Sequence, residues 1–243
     1  MDRRVFDTLI IKGVIIIEAQ KTHFSGFAAV VGRPNVGKST LVNSLIGEKI
    51  AIMSDRPQTT RNKIMCILNT DNAQIMFLDT PGIHKPQHKL GEYMVRSAES
   101  TLHEVDVILF VVDVTEKKGA GDEYIIEQLK KVKTPVILVV NKIDKLAEKG
   151  KLFPIISSYT DSFDFTAVLP VSALADRDFT SLIGEIVKHL PEGPQYFPED
   201  MITDQPERVI AAEMIREKVL KLTRDEVPHS IAVEIEEMKT RQN

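Results

Sequence analysis

Short apolar runs alternate with stretches of helical spacing along most of this chain. The apolar runs are rich in Val, Ile and Leu and predict buried strands at residues 27–31, 64–68, 75–78, 107–112, 136–140 and 167–171. The stretches between them predict helices at 38–45, 90–102, 122–132, 152–159 and 179–190. This alternation favours a doubly wound α/β fold on a mostly parallel six-stranded sheet. Only a turn at Asp71 and Asn72 separates the second and third runs, which predicts one antiparallel edge strand.

The pattern changes after residue 190. Proline and glycine interrupt residues 191–206, which we interpret as a linker. Residues 207–222 predict a helix with Ile210, Met214 or Ile215, and Val219 on one side. Residues 231–236 alternate as a strand would. One helix and one strand cannot bury a full core, so we interpret 207–243 as an incomplete α+β unit.

The first 24 residues differ from the rest. Arg3 and Arg4 precede two apolar stretches, a pattern that loosely imitates a secretion signal. Lys12 and Glu18 interrupt that pattern, and no clear small-residue cleavage site follows. We therefore interpret residues 1–24 as an atypical N-terminal extension and residues 25–190 as the α/β domain.

Composition sets only broad limits. The chain has 243 residues, 43% of them hydrophobic, which is enough for one sizeable core and a small second unit. The net charge of -4 gives no general sign of a nucleic-acid or membrane partner. The one cysteine, Cys66, lies in an apolar run and cannot form an internal disulfide, which favours a reducing compartment.

A glycine-rich segment follows the first predicted strand of the α/β domain. It matches G-x-x-x-x-G-K-S, a loop in which backbone N–H groups surround phosphate oxygens. Lys38 supplies a cation to the phosphates, and the hydroxyl of Ser39 is a ligand for Mg²⁺. The candidate phosphate-binding residues are Gly32, Arg33, Pro34, Asn35, Val36, Gly37, Lys38, Ser39 and Thr40.

A second motif ends the strand at 75–78. Asp79 is placed to hold Mg²⁺, usually through water, and the N–H of Gly82 is placed to contact a γ-phosphate. The candidate switch II residues are Asp79, Thr80, Pro81, Gly82 and Ile83.

A third motif, N-K-x-D, follows the strand at 136–140. The carboxylate of Asp144 can accept two N–H bonds from guanine, which adenine does not offer. Asn141 fits the other side of the base, and the stem of Lys142 can cover the ring. After the strand at 167–171 a backbone N–H can reach the guanine carbonyl. The candidate guanine-binding residues are Asn141, Lys142, Asp144, Ser172, Ala173 and Leu174.

The polar loop before residue 64 is the candidate switch I. Its candidate residues are Gln58, Thr59, Thr60, Arg61 and Asn62. A threonine here can complete the Mg²⁺ shell while the γ-phosphate is present, and the residues alone do not choose between Thr59 and Thr60. Ile83 stands where many GTPases carry a water-orienting glutamine, and no arginine is an obvious internal finger. Another group must therefore supply positive charge, or turnover is slow.

Four stretches resemble the Era family of bacterial GTPases. They are GFAAVVGRPNVGKS from residue 26, IAIMSDRPQTTRNK from residue 50, LDTPGIHK from residue 78 and REKVLKLTRDEVPHSIAVE from residue 216. The resemblance implies a P-loop GTPase domain followed by a type II KH domain. It also implies Mg²⁺-dependent cleavage of GTP to GDP, with Thr60 as the switch I magnesium ligand. Asn35 is then a candidate K⁺ ligand, and K⁺ would replace the missing arginine charge.

The resemblance also implies partners and a location. Members of this family bind the 3′ end of 16S rRNA through the KH domain and assist maturation of the 30S ribosomal subunit. They are cytoplasmic proteins that associate peripherally with the inner membrane, and we expect a monomer.

This sequence departs from the family at both ends. Residues 1–24 have no recognised counterpart, and no G-x-x-G loop of the kind that clamps RNA occurs after Gly193. The alternative to the GTPase switch is therefore a catalytically weak fragment that binds GTP and GDP without binding RNA. A related assembly or tRNA-modification GTPase is a third possibility, which the segment at 191–236 disfavours.

Overall fold

The computed structural model describes residues 6–11, 14–19, 22–51, 64–79, 101–146, 148–222 and 231–239. For residues 6–19, 149 and 221 it describes only the backbone. All structural statements below concern these residues.

Six strands form the sheet of the α/β domain, as predicted. They are β3 (Phe24–Val31), β4 (Ile64–Asn69), β5 (Ala73–Asp79), β6 (Val107–Asp113), β7 (Val136–Asn141) and β8 (Ala167–Pro170). Their order across the sheet is β4-β5-β3-β6-β7-β8. β4 pairs antiparallel with β5, and every other pair is parallel. The predicted antiparallel edge strand is therefore confirmed.

Helices cover both faces of this sheet. They are α1 (Lys38–Ile46), α2 (Ala120–Leu129), α3 (Leu152–Thr160) and α4 (Thr180–Val187). On one face, Leu41 of α1 and Ile186 of α4 join a buried cluster with Val30 of β3. On the other face, Ile125 of α2 and Tyr159 of α3 join a second buried cluster. Strands buried on both sides explain the uninterrupted apolar runs in the sequence.

The segment at residues 191–206 lies against the edge of the sheet. It contains only isolated bridges, one between Phe24 and Glu192 and one between Cys66 and Thr203. The buried side chain of Gln74 accepts hydrogen bonds from the backbone N–H groups of Tyr196 and Phe197, at 2.7 and 3.0 Å. It also donates to the carbonyl of Phe197 at 2.8 Å. The irregular backbone predicted for this segment is found, but the segment is packed on the domain along its length.

A long helix, α5 (Glu207–Leu222), follows. Its prediction is confirmed, and Ile210 on the predicted side packs against the core of the α/β domain, but Met214 and Ile215 are exposed. Glu217 and Leu220 are buried instead, and the carboxylate of Glu217 pairs with the ammonium of Lys49 at 2.8 Å. This ion pair connects α5 to the α/β domain.

The strand predicted at 231–236 is not found. Residues 231–239 form no strand or helix and belong to neither described sheet. The alternation itself survives, because Ile231, Val233 and Ile235 are partly buried whereas Ala232 and Glu234 are exposed. An alternating sequence becomes a strand only when a neighbouring strand completes its hydrogen bonds, so the pattern alone was insufficient.

Two further regions complete the description. Strands β1 (Phe6–Ile11) and β2 (Val14–Ala19) form an antiparallel pair within the segment interpreted as an extension. The helix predicted at 90–102 lies outside the described residues except for Thr101 and Leu102, which are helical. Among the described helices, none has the length and apolar content needed to cross a bilayer.

Candidate functional site

The predicted motifs meet at the carboxyl ends of the parallel strands. Val30 pairs with Asp79 across β3 and β5, and Asp113 pairs with Asn141 across β6 and β7. These side chains therefore lie along one edge of the sheet, next to the loop that follows β3. Open α/β sheets bind their ligands at this edge.

Two glycines give the loop at residues 32–37 its shape. Gly32 and Gly37 have φ values of 155° and 99°, in the region that glycine adopts most readily. A Cβ atom at Gly32 would collide with the carbonyl of Val111, and one at Gly37 would collide with the side-chain amide of Asn141. The loop can therefore approach its neighbours closely only because these positions carry no side chain.

Lys38 lies folded into this loop at the start of α1. Its ammonium donates hydrogen bonds to the carbonyls of Gly32 and Arg33, at 3.1 and 2.9 Å. Burial lowers the pKa of Lys38 to about 8, and the nearby charge of Asp79 only partly offsets the effect. Phosphate oxygens beside this buried ammonium would stabilise its charged form, so the position of Lys38 favours an anion.

Ser39 and Asp79 form the second part of the site. The hydroxyl of Ser39 donates to a carboxylate oxygen of Asp79 at 2.7 Å, and the side chain of Asp79 is fully buried. These two hard oxygen atoms fit Mg²⁺, which is commonly held by one or two protein ligands, phosphates and water. In the described part of the chain, no group of three His, Cys, Asp or Glu residues offers a metal an all-protein cage.

Asn141 joins three loops through its side chain. Its amide nitrogen donates to the carbonyl of Val36 at 2.9 Å. Its amide oxygen accepts from the backbone N–H groups of Lys142 and Ala173, at 2.7 and 2.9 Å. The predicted guanine-binding residue is thus also a brace between the phosphate loop and the loop after β8.

Lys142 extends from the same strand end toward the phosphate loop. Its ammonium donates to the carbonyl of Asn35 at 2.7 Å and pairs with the carboxylate of Asp113. Lys142 and Asn35 both have positive φ, at 64° and 65°. Burial raises the pKa of Asp113, but hydrogen bonds from Lys142 and Thr115 lower it by more. The pKa of Asp113 is therefore below its usual value.

Asp144 presents an exposed carboxylate beside the loop after β8. One of its oxygens accepts a hydrogen bond from the hydroxyl of Ser172 at 2.5 Å. The backbone N–H of Ser172 donates to Asp176 at 2.6 Å, and the side chain of Leu174 is 80% exposed. The N–H of Ser172 serves a contact within the loop after β8, whereas the N–H of Ala173 serves a contact with the end of β7. The exposed carboxylate of Asp144 is thus accessible for contact with a base.

Both predicted switch segments fall largely outside the part of the chain that the structure describes. Switch I, at Gln58, Thr59, Thr60, Arg61 and Asn62, lies outside the described residues. So does switch II after Asp79, at Thr80, Pro81, Gly82 and Ile83. The choice between Thr59 and Thr60 therefore stays a prediction.

The sequence analysis missed three residues that shape the site. Asp113 pairs with the ammonium of Lys142, and Asp176 accepts from the backbone N–H of Ser172. Asn43 bonds to the backbone of the segment that precedes switch I. The side-chain oxygen of Asn43 accepts from the N–H groups of Ile50 and Ala51, both at 2.9 Å. Asp113 carried a usable signal, because it ends an apolar strand just as Asp79 and Asn141 do. The other two carried none.

Comparison with known proteins agrees with this geometry. Residues 27–142 match the family described as "50S ribosome-binding GTPase". With the phosphate loop, the Ser39–Asp79 pair and the exposed Asp144, this match defines the chain as a P-loop GTPase. The chain is 59% identical over 217 residues to GTPase Era of Clostridioides difficile (strain 630), covering 89% of this chain and 73% of that protein. It is 58% identical over 219 residues to GTPase Era of Alkaliphilus metalliredigens (strain QYMF), covering 90% and 74%. The chain belongs to the GTPase Era family.

Solved structures extend the likeness to three dimensions. A crystal structure of Era with MgGDPNP and nucleotides 1506–1542 of 16S ribosomal RNA matches with a TM-score of 0.85 and 47% identity. That match covers 89% of this chain and 74% of the other. A single-residue variant of Aquifex aeolicus Era bound to GDP·AlF4⁻ matches with a TM-score of 0.84 and 47% identity, covering 89% and 73%. Most of this chain thus has the fold of these two Era structures.

Proposed function

We propose that this chain is a GTP-hydrolysing switch that binds 16S rRNA and assists maturation of the 30S ribosomal subunit. The observation that carries the proposal is the linkage of the phosphate and base loops through one side chain. Asn141 connects Val36 to Ala173, so the two parts of a nucleotide site are held in fixed relation.

The phosphate end of GTP is assigned to the loop at 32–37 and to Lys38. Backbone N–H groups and the N-terminus of α1 favour negative charge at this position. Ser39 and Asp79 would hold Mg²⁺, which neutralises phosphate charge when bound. Thr60 is proposed as the switch I ligand that reports the γ-phosphate.

The base end of GTP is assigned to Asp144. Its carboxylate is exposed and is oriented by the hydroxyl of Ser172. A carboxylate accepts two N–H bonds from guanine but meets an acceptor on adenine, which gives specificity by mismatch as well as by contact.

A bound potassium ion is proposed beside the phosphate loop, at Asn35. The described residues include an arginine in this loop, Arg33, but its guanidinium points toward Asp122. A monovalent cation at Asn35 would supply charge that an arginine finger gives in other GTPases.

The RNA partner is supported by the relatives. The Era structure that matches at 47% identity was solved with nucleotides 1506–1542 of 16S ribosomal RNA. The family that matches residues 27–142 is described as binding the 50S ribosomal subunit. We favour the small subunit because the Era match covers most of both chains. A cytoplasmic monomer with peripheral inner-membrane association completes the proposal.

The test is RNA binding by this chain. The probe is a labelled oligonucleotide with the 3′-terminal 16S sequence, and a scrambled oligonucleotide is the control. Preferential binding of the 16S sequence, stronger with GTP than with GDP, supports the switch. Nucleotide binding without RNA selectivity would favour the alternative, a protein that binds GTP and GDP without binding RNA.

A further inference from the structure

Arg33 is the second residue of the phosphate loop, and its side chain turns away from the phosphate side. Its Nε donates to a carboxylate oxygen of Asp122 at 2.9 Å. Its Nη2 lies 2.8 Å from a carboxylate oxygen of Glu116. Asp122 is on α2 and Glu116 is on the loop before it, so the phosphate loop is tied to a neighbouring element.

The partner of Arg33 is itself held firmly. The side chain of Asp122 is fully buried, and its other oxygen accepts from the backbone N–H of Gly119 at 2.9 Å. Glu116, by contrast, is 53% exposed, so its pair with Arg33 is screened by water. The buried Asp122 is therefore the stronger anchor.

The backbone of Arg33 is held from the other side. Its carbonyl accepts a hydrogen bond from the ammonium of Lys38 at 2.9 Å. The side chain and the carbonyl of one residue thus connect α2 with the lysine that faces the phosphates. If the Arg33 side chain moves its own backbone, the carbonyl that accepts from Lys38 moves with it, and the position of the Lys38 ammonium changes.

The stem of Arg33 crosses α2 at a glycine. A Cβ atom at Gly121 would lie 2.7 Å from Cδ and 3.2 Å from Cγ of Arg33. Both distances are shorter than a van der Waals contact between carbon atoms. Because Asp122 fixes the tip of the side chain, the stem can yield only if the ion pair is released.

We propose that Asp122 is a positioning residue for nucleotide binding, acting through Arg33 to hold the phosphate loop against α2. Gly121 keeps open the path that this contact requires. Neither residue touches the nucleotide in this proposal, which rests on the GTP-binding function proposed above. The pair acts on the shape of the loop that both GDP and GTP occupy.

The test is a double-mutant cycle on Arg33 and Gly121, with the Kd of a fluorescent GDP analogue as the readout. Gly121→Ala should raise the Kd about tenfold, the factor that one charge-assisted hydrogen bond corresponds to. Arg33→Ala should do the same. In the Arg33→Ala background, Gly121→Ala should have no further effect, because the stem with which it collides is absent. Alanine favours helix more than glycine does, so a loss of helix stability would not explain the change.

The kinetic readout separates positioning from loss of folded protein. Arg33→Ala should raise KM for GTP about tenfold while kcat changes less, because a misplaced loop weakens binding. A partly unfolded enzyme would show lower kcat at an unchanged KM. Glu127→Gln, which removes an exposed pair with Lys130 on the same helix, is the matched control and should leave the Kd unchanged.

The outcomes are distinguishable. Equal effects of Gly121→Ala in both backgrounds, or no effect of either single substitution, would overturn the positioning role and leave the GTPase proposal standing. A parent protein that does not bind the GDP analogue would overturn both. A non-additive cycle with raised KM supports the proposal.

Discussion

The side-chain amide of Asn141 donates a hydrogen bond to the carbonyl of Val36 at 2.9 Å, across 105 residues of sequence. This bond joins the end of β7 to the loop after β3. A Cβ atom at Gly37 would collide with the same amide, so this hydrogen bond needs a residue without a side chain at position 37. The phosphate end and the base end of the site are thus built as one unit.

Replacing Asn141 by Ala should lower the free energy of unfolding by about 2–4 kcal/mol, because three backbone groups lose their partner in a largely buried place. Urea denaturation of the nucleotide-free protein measures this loss. Gln195→Ala is the control, since the exposed amide of Gln195 bonds to the carboxylate of Glu199 at the surface and its loss should cost less than half as much. Equal losses in the two variants would contradict the bracing role of Asn141.

Much of this arrangement could be predicted from the sequence. The apolar runs predict where the polar site residues lie, because a polar residue directly after a buried parallel strand must lie at the carboxyl edge of the sheet. Asp79 and Asn141 were found in this way. Asp113 obeyed the same rule and was missed, since no known motif includes it.

The rest depended on contacts that periodicity does not encode. Gln74 lies inside a strand and gave no sign that its amide would bind the backbone of Tyr196 and Phe197. The inward side of α5 was predicted only in part, because helical spacing gave no sign that the carboxylate of Glu217 would be buried in a pair with Lys49. The strand predicted at 231–236 is not found, because an alternating sequence favours a strand but does not show that a neighbouring strand is present.

Asp144→Asn should weaken GTP binding at least about 100-fold, since two charge-assisted bonds to guanine are lost. The same variant should gain affinity for xanthosine triphosphate, whose base carries an acceptor where guanine carries an amino group. Competition against a fluorescent GDP analogue measures both. Asp178→Asn, a surface carboxylate in the neighbouring segment, should change neither. Unchanged base preference in Asp144→Asn would show that another residue reads the base.

Single-turnover GTP hydrolysis should be faster in K⁺ than in Na⁺, and removal of the Asn35 side chain should abolish the difference. Both Asn35→Ala and Asn35→Gly are needed, because position 35 has a φ of 65°. Glycine adopts that conformation without strain and alanine does not. If only the alanine variant loses the K⁺ effect, backbone strain rather than a lost ligand explains it. Equal rates of the parent in K⁺ and Na⁺ would remove potassium from the account.

Cys66 should resist alkylation in the folded protein at pH 8.5. Burial, with the charges of Asp79 and Asp204, raises the pKa of its thiol from 9.0 to about 12. The folded state therefore keeps a proton that the unfolded chain releases, so stability falls as pH rises from about 9 toward 12. Iodoacetamide labelling should proceed at a rate set by the fraction of unfolded protein, and Cys66→Ala supplies the unlabelled control. Rapid labelling without urea would contradict the burial of this strand.

The most direct test of the central claim is the conversion of GTP to GDP by the purified chain, measured by chromatography in Mg²⁺ and K⁺. We predict GDP formation that stops when EDTA removes the metal and falls to background in Lys38→Ala, and we predict that the chain forms no ADP when ATP replaces GTP. If the chain produces no more GDP than Lys38→Ala in either K⁺ or Na⁺, the converging loops do not form a GTPase site and the account is wrong.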